Sequence, residues 1–182
     1  MQAMFTMQYG EFAVADYLSK EIKNASVFIP TSAQEKGIDL LLYKFSNGKN
    51  QVTTIQVKMS RAYYYPNKKY QGILWLNRFD PQSNADWFII VGIYAKYPES
   101  TPNAKTTDTK WDTLMLAFKN EEMVQFMEEV RLKKNPEKYD KMFGFGFNGK
   151  TEIKQTRGYK EERDMTSYLI ENRIDEIRNS FV

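Results

Sequence analysis

The fold of this chain is decided by two apolar segments and the turn between them, which run from residue 37 to residue 59 as GIDLLLYKFSNGKNQVTTIQVKM. The first segment, Gly37 to Tyr43, is apolar except for Asp39 and predicts a buried strand. Asn47-Gly48 is a strong signal for a tight turn, and residues 51–59 alternate as a strand does. Together the three parts predict an antiparallel β-hairpin.

The polar residues of this hairpin predict a site. Gln56 and Lys58 are two apart on a strand and therefore project from one face, whereas Ile55 and Val57 project from the other. Asp39 lies opposite them, in an otherwise apolar strand. An ionised aspartate in that setting needs a partner, which a metal ion or a nearby lysine would provide. The alternative is a buried Asp39–Lys58 ion pair without a catalytic role.

A first helix is predicted over about residues 8–24, because apolar residues recur there at helical spacing: Val14, Ala15, Leu18 and Ile22. Glu11 lies at the head of the same stripe. A carboxylate directed at the core is costly unless it is paired or bound to metal. The alternative places Glu11 in solvent, near the positive end of the helix dipole.

Composition limits the chemistry that is available to this chain. It has 182 residues, which favours one domain with a substantial core, and it contains neither cysteine nor histidine. Serine–histidine triads, cysteine nucleophiles and zinc held by histidine or thiolate are therefore excluded. No apolar run approaches the roughly 20 residues of a membrane span, and the first ten residues do not resemble a signal peptide. We expect a cytoplasmic protein that does not associate with membranes.

Further elements follow the hairpin. Residues 60–71 predict a loop, and strands are expected over 73–79, 87–95 and 111–118, the second of them buried on both faces. A helix is predicted to begin at Asn120 and to continue through Lys133 and Lys134 until Pro136. Phe143, Phe145 and Phe147 alternate with glycines, which places three rings on one face of a strand. A last helix is expected over 166–180, with Ile170, Ile174, Ile177 and Phe181 on one side.

Basic residues are concentrated in one segment. Residues 40–79 contain no aspartate or glutamate, while their basic residues are Lys44, Lys49, Lys58, Arg61, Lys68, Lys69 and Arg78. Tyrosines that include Tyr64 are interleaved with Arg61, Lys68 and Lys69, a combination that suits backbone phosphates and stacked bases. The alternative is a tyrosine-rich surface loop or an oligomer contact. A second basic segment over residues 154–163 is offset by neighbouring acids.

Three short motifs together resemble the PD-(D/E)XK nuclease superfamily: Glu11 preceded by a glycine, Gly37-Ile38-Asp39, and Gln56-Val57-Lys58. The Gln-x-Lys form is similar to Mrr-like restriction endonucleases, and the helix that carries Glu11 is similar to that of archaeal Holliday-junction resolvases. The resemblance covers about residues 9–61. The chain departs from the pattern in having Ile38 in place of proline, Gln56 in place of the usual acid, and no evident crossover helix soon after Lys58.

The resemblance implies an α/β restriction-endonuclease-like fold, in which a mixed β-sheet is flanked by helices and residues 1–182 form a single domain completed by residues 111–182. It implies a catalytic set of Glu11, Asp39, Gln56 and Lys58. Mg²⁺, or Mn²⁺ in its place, would bind Asp39, Gln56, Glu11 and the main-chain carbonyl of Val57.

The expected function is a metal-dependent endonuclease that hydrolyses phosphodiester bonds, with DNA favoured over RNA, in restriction, phage defence or repair. Arg61, Lys68, Lys69 and Tyr64 would contact the nucleic acid. Two alternatives stay open, which are an inactive module that binds nucleic acid or a protein partner, and an RNA-cleaving toxin domain. The sequence also leaves open a homodimer for cutting both strands.

Overall fold

The computed structural model of the chain describes residues 4–30, 36–65, 68–96 and 110–181, which form a mixed α/β fold with a mostly antiparallel sheet. The α-helices of these residues are α1 (Met4–Glu21), α2 (Asn120–Glu129) and α3 (Ile170–Arg178). The strands are β1 (Ser26–Phe28), β2 (Leu40–Ser46), β3 (Lys49–Tyr64), β4 (Gly72–Asn77), β5 (Trp87–Lys96), β6 (Lys110–Lys119), β7 (Arg131–Leu132), β8 (Asn135–Tyr139), β9 (Met142–Asn148), β10 (Glu152–Arg157) and β11 (Arg163–Asp164).

Strand β3 joins the two halves of the sheet. It is 16 residues long and pairs in turn with β2 through residues 49–55, with β5 through 55–61 and with β4 through 62–64. The β3–β5 pairing is parallel and the other two are antiparallel. One half of the sheet therefore runs β1-β2-β3-β5-β6, and the other continues from β3 through β4, β9, β10 and β11.

The predicted hairpin is confirmed as β2 and β3, which pair from Leu40 with Ile55 to Ser46 with Lys49. Asn47 and Gly48 adopt φ values of 53° and 73° at the turn. Both values are positive, as a two-residue turn that matches the twist of the strands requires, and asparagine and glycine tolerate that region best. The strand itself begins at Leu40, so that Asp39 lies just before it.

Two hydrophobic cores lie on opposite faces of the half that contains β5. On one face α1 and α3 pack through Val14, Leu18, Ile22, Ile170 and Ile177 against β3 and β5. On the other, the three phenylalanines of β9 and the helix α2 pack against Phe88 and Phe118. Residues 87–91 of β5 are almost completely buried, as expected for a strand covered on both faces.

The glycines of β9 are needed because aromatic rings lie against the bare backbone. A Cβ atom added to Gly144 would lie 2.5 Å from the ring of Trp75, and one added to Gly146 would lie 2.5 Å from the ring of Tyr70. Strand β9 therefore carries buried rings on its inner face and supports two rings on its outer face, that of Trp75 on β4 and that of Tyr70 just before β4.

The predicted end of the second helix and the predicted start of the last helix are wrong. Helix α2 ends at Glu129 rather than near Pro136, because the Arg131 amide donates to the Gly158 carbonyl (2.8 Å) and the Arg131 guanidinium lies 3.6 Å from the ring centroid of Tyr139. These contacts draw the chain into the β7–β8 hairpin, and Pro136 lies in β8. The last helix begins at Ile170, after a short 3₁₀ turn, although its predicted apolar side is confirmed.

The connection after Lys58 also differs from the prediction. Residues 60–64, predicted as loop, continue strand β3. The described residues between β3 and the parallel strand β5 contain β4 and no helix, so β4 occupies the place where the resemblance requires a crossover helix. None of the helices described here is both long and apolar enough to cross a bilayer.

The hydrophobic core that contains the phenylalanines of β9 should contribute much of the free energy of unfolding. Phe145 is fully buried and Phe45 is 66% exposed, so the same substitution can be compared at both sites. We expect Phe145→Ala to lower the free energy of unfolding by about 3–5 kcal/mol, through lost apolar burial and a residual cavity. Phe45→Ala should change it by no more than about 0.5 kcal/mol. Urea denaturation of both variants measures the difference, and equal losses would contradict the assignment of this core.

Candidate active site

Asp39 is fixed at the point where β2 separates from β3. The pairing of the two strands ends at Leu40 and Ile55. One residue earlier, the Asp39 amide donates to the Ile55 carbonyl at 2.9 Å, and the Val57 amide donates to Asp39 Oδ2 at 2.7 Å. The carboxylate thus replaces a main-chain acceptor at the end of the ladder. Its second oxygen, Oδ1, accepts no hydrogen bond from the described residues.

Gly37 directs the chain into this position. Its φ of +91° lies in the left-handed region, and an added Cβ would lie 2.4 Å from the Cβ of Gln82. The neighbouring Lys36 carbonyl accepts a hydrogen bond from the Asn84 side chain at 2.8 Å. A residue with a side chain would be strained and would clash at position 37, so the glycine two residues before Asp39 has a steric reason.

Gly10 has a similar role for Glu11. A Cβ atom at Gly10 would lie 2.9 Å from the Cβ of Met59 on β3, so the glycine allows α1 to approach the strand closely. Val14 and Leu18 continue the same side of α1 into the core with no exposed surface. Glu11 therefore lies in a part of α1 that contacts β3, half-buried rather than free in solvent.

Glu11, Asp39 and Lys58 line one cavity of about 620 Å³. They come from α1, from the residue before β2 and from β3, respectively. Residues 57–61 of β3 form one wall, and the other lining residues are Tyr9, Ile93 and Trp111. The cavity thus contains two acids, two basic residues and two partly exposed aromatic rings.

The charges of this cavity influence one another. Burial raises the pKa of the Glu11 carboxyl above its usual value, and the nearby Asp39 raises it further. Lys58 opposes both effects and lowers the pKa of Glu11. The effects of Asp39 and Lys58 are electrostatic, whereas the effect of burial is the loss of hydration of the charged form.

Lys58 is near the two acids without contacting them. Among the described residues it forms no ion pair within 4 Å, and its ammonium group lies 5.5 Å from the ring centroid of Phe79. The simple buried Asp39–Lys58 ion pair, which the sequence leaves open as an alternative, is therefore not formed. A space remains between the lysine and the carboxylates.

Gln56 lies apart from this cavity lining. It is 5% exposed, and its Oε1 atom has no hydrogen-bond partner among the described residues. A buried amide oxygen without a partner costs free energy unless a donor or cation satisfies it. The described residues contain no cluster of three or more acidic side chains that could hold a metal. Of the expected metal ligands, Glu11, Asp39 and Val57 line the cavity and Gln56 does not, so a hard cation in the cavity would depend on oxygens of the first three, a donor set of the type that Mg²⁺ uses.

The four residues predicted to contact nucleic acid are distributed unevenly. Arg61 is exposed and lines the cavity. Tyr64 lines a smaller cavity of about 180 Å³ beside Arg61. Lys68 is exposed, whereas Lys69 forms an ion pair with Glu162 at 2.6 Å. Much of the positive charge of Lys69 is therefore already compensated by an acid from a distant part of the sequence.

The second basic segment is also largely compensated. Lys154 pairs with Asp164 at 2.6 Å, Arg163 with Glu129 at 2.5 Å, and Arg157 lies 3.5 Å from Asp140. Trp111, to which the sequence assigns no role, is 57% exposed at the cavity. Nothing in its local pattern distinguishes it from any other residue at the start of a strand.

No protein-family model, curated protein or solved structure matches this chain.

The electrostatic arrangement predicts opposite effects of two substitutions on one carboxyl group. Asp39→Asn should lower the pKa of Glu11, because it removes a nearby negative charge, whereas Lys58→Ala should raise it. Carboxyl ¹³C NMR titration of Glu11 measures both shifts. Lys20→Ala, which removes a lysine paired with Asp16 on the exposed side of α1, serves as the control and should change nothing. Shifts of the same sign would contradict the described geometry.

Proposed function

We propose that this chain is a metal-dependent nuclease of the PD-(D/E)XK kind, which hydrolyses phosphodiester bonds in nucleic acid, with DNA as the preferred substrate. The observation that carries the proposal is the meeting of Glu11, Asp39 and Lys58 at one cavity, from three separate elements. They influence one another electrostatically, yet the lysine does not neutralise either acid by direct contact.

The two acids suit a hard cation. Asp39 offers Oδ1, while its hydrogen bond with Val57 holds the carboxylate in place. Glu11 supplies a second carboxylate whose charged form is disfavoured by burial and by Asp39, and a bound cation would relieve both penalties. The main-chain carbonyl of Val57 would add a third oxygen, and the amide oxygen of Gln56, which lies outside the cavity lining, is the fourth expected ligand. The metal itself would activate water and neutralise charge that develops on the phosphate.

Lys58 would act on the substrate. Its ammonium group is close enough to the acids to affect the pKa of Glu11 but is not engaged by them, which leaves it available for a phosphate oxygen or the attacking water. Arg61 at the same cavity adds a second cation for the phosphate backbone. No acidic residue occurs in the sequence from 40 to 79, so the β3 side of the site carries no opposing charge.

A restriction-endonuclease-like fold is part of this proposal. Its support is the antiparallel hairpin of β2 and β3, with Asp39 and Lys58 at its separating end, and the parallel strand β5 beside β3. Helix α1 packs against β3 and brings Glu11 to the same end. The replacement of the crossover helix by β4 would be a departure of this chain from that fold.

An inactive nucleic-acid-binding module is the second candidate. The observation that favours it is Gln56, which replaces an acid of the family pattern and does not line the cavity with the other three residues. With one carboxylate fewer, affinity for Mg²⁺ would be lower. Cleavage assays separate the two candidates, and a panel of DNA and RNA substrates also tests the RNA-cleaving alternative.

Cleavage should depend on Asp39 and Lys58. Asp39→Asn retains an oxygen that can accept from the Val57 amide but removes the charge, so it should fold normally and lose activity. We expect both Asp39→Asn and Lys58→Ala to reduce kcat/KM by about 100-fold or more. Plasmid nicking and cleavage of labelled DNA and RNA across a Mg²⁺ and Mn²⁺ titration provide the measurement.

Two matched controls accompany these variants. Asp16→Asn changes an exposed acid on α1, and Lys49→Ala changes an exposed lysine on the same strand as Lys58. Both should retain wild-type cleavage. If the wild type cleaves none of the substrates with either metal, the binding-module candidate replaces the nuclease. If cleavage survives Lys58→Ala, the chemistry takes place elsewhere on the chain.

Gln56→Glu tests whether the glutamine contributes to a metal site. A buried carboxylate without a cation is costly, so this variant should be less stable than the wild type in EDTA. If position 56 can reach the metal, Mg²⁺ should raise its Tm by more than it raises that of the wild type, and cleavage at low Mg²⁺ should be retained or increased. An equal or smaller Tm response would remove Gln56 from the proposed ligand set.

A further inference from the structure

A second cleft borders the candidate active site. It has a volume of about 510 Å³ and shares residues 58–60 of β3 with the cavity that contains Glu11 and Asp39. Its remaining walls include Tyr63, Trp75, Arg78 and Phe79. A ligand that occupies this cleft would therefore lie directly beside Lys58.

Two large aromatic rings of this cleft are open to solvent. Trp75 is 41% exposed and Tyr63 is 45% exposed, and their ring centroids lie 6.1 Å apart with the planes inclined by 45°. The two rings form a contiguous exposed aromatic surface, which is the kind of surface on which bases stack. They do not belong to the core, since the inward-facing neighbours of Trp75 on β4, Leu74 and Leu76, already fill it.

The ring of Trp75 is held in position from below. Gly144 of β9 pairs with Trp75 in the sheet, and a Cβ at Gly144 would lie 2.5 Å from the indole ring. The glycine thus leaves the space that the ring occupies, and this close contact restricts the ring while it stays exposed. A ring that is already oriented loses less conformational entropy when a planar ligand stacks on it.

The charge of the cleft is positive. Lys58 and Arg78 line it, and the guanidinium of Arg61 lies 5.8 Å from the ring centroid of Tyr63. Arg78 is fixed by a hydrogen bond to the Met127 carbonyl and by the ring of Tyr139, 4.1 Å away. No carboxylate is among the described residues that line the cleft. Cations interleaved with exposed rings match a chain of phosphates that carries planar bases.

We propose that this cleft binds unpaired nucleotides of a single-stranded nucleic acid and leads the adjoining phosphate to Lys58. Trp75 and Tyr63 would stack against the bases, while Arg61 and Arg78 would attract the phosphates. Unpaired bases are required because a base inside a duplex already has both faces covered by its neighbours. The link to cleavage rests on the proposed nuclease function, whereas the binding can be measured without it.

The test is binding of a fluorescein-labelled oligothymidylate of about 12 nucleotides, a length within the usual range of such sites. Fluorescence anisotropy is measured in EDTA, on an Asp39→Asn background, so that no cleavage interferes. Trp75→Ala and Tyr63→Ala should each weaken binding by about 10-fold, since each removes one stacking ring. Trp75→Phe retains a ring and should bind within about threefold of the parent.

Phe45→Ala is the matched control. It removes an aromatic ring from β2 that is more exposed than either ring of the cleft, in the same acid-free segment, and should leave binding unchanged. An oligouridylate arm determines whether the site accepts RNA as well as DNA, and a duplex of the same length should bind more weakly than the single strand. Circular dichroism verifies that each variant is folded, and Tyr63→Ala keeps the test decisive if Trp75→Ala does not fold.

Each outcome bears on one proposal alone. If neither ring substitution changes affinity for the single strand, or if the duplex binds as tightly, the inference is wrong even where the protein cleaves DNA. If the rings are required for binding but the wild type cleaves no substrate with Mg²⁺ or Mn²⁺, the single-strand site stands and the nuclease proposal fails.

Discussion

The hydrogen bonding of strand β3 is the constraint on which the rest of the structure depends. One continuous strand pairs with β2, β5 and β4 in succession. A shift of its register by one residue would exchange the side chains that face α1 with those that face α2 and β9. The same pairing creates the candidate site, because β2 separates from β3 after Ile55. The Asp39 carboxylate then accepts the hydrogen bond of the Val57 amide.

The chain treats its buried polar groups in two different ways. Arg173 is 5% exposed and fully engaged, since it donates to the Ala117 carbonyl and to the carboxylates of Glu122 and Glu176. It joins α3, β6 and α2 and has a structural role. Near β3 the opposite holds. The charged form of Glu11 is disfavoured by burial and by Asp39, and Gln56 Oε1 has no partner among the described residues. Such local costs are typical of sites that bind a ligand.

The glycines link the fold to both proposed sites. Gly10 lets α1 approach Met59 and so brings Glu11 to β3, and Gly37 turns the chain ahead of Asp39. Gly144 leaves space for the ring of Trp75 on the outer face of the sheet. In each case the absence of a side chain at the glycine leaves the space that another residue needs in order to reach its site.

The sequence by itself determined the elements whose signals are local: the apolar side of α1, the Asn47-Gly48 turn, the buried strand β5 and the phenylalanine alternation of β9. These depend on periodicity and turn chemistry within a few residues. Only the tertiary structure decided that Lys69 pairs with Glu162, that α2 stops at Glu129, that Trp111 joins the cavity and that Gln56 does not. Those outcomes depend on contacts between residues far apart in the chain, and no local pattern encodes which distant groups will meet.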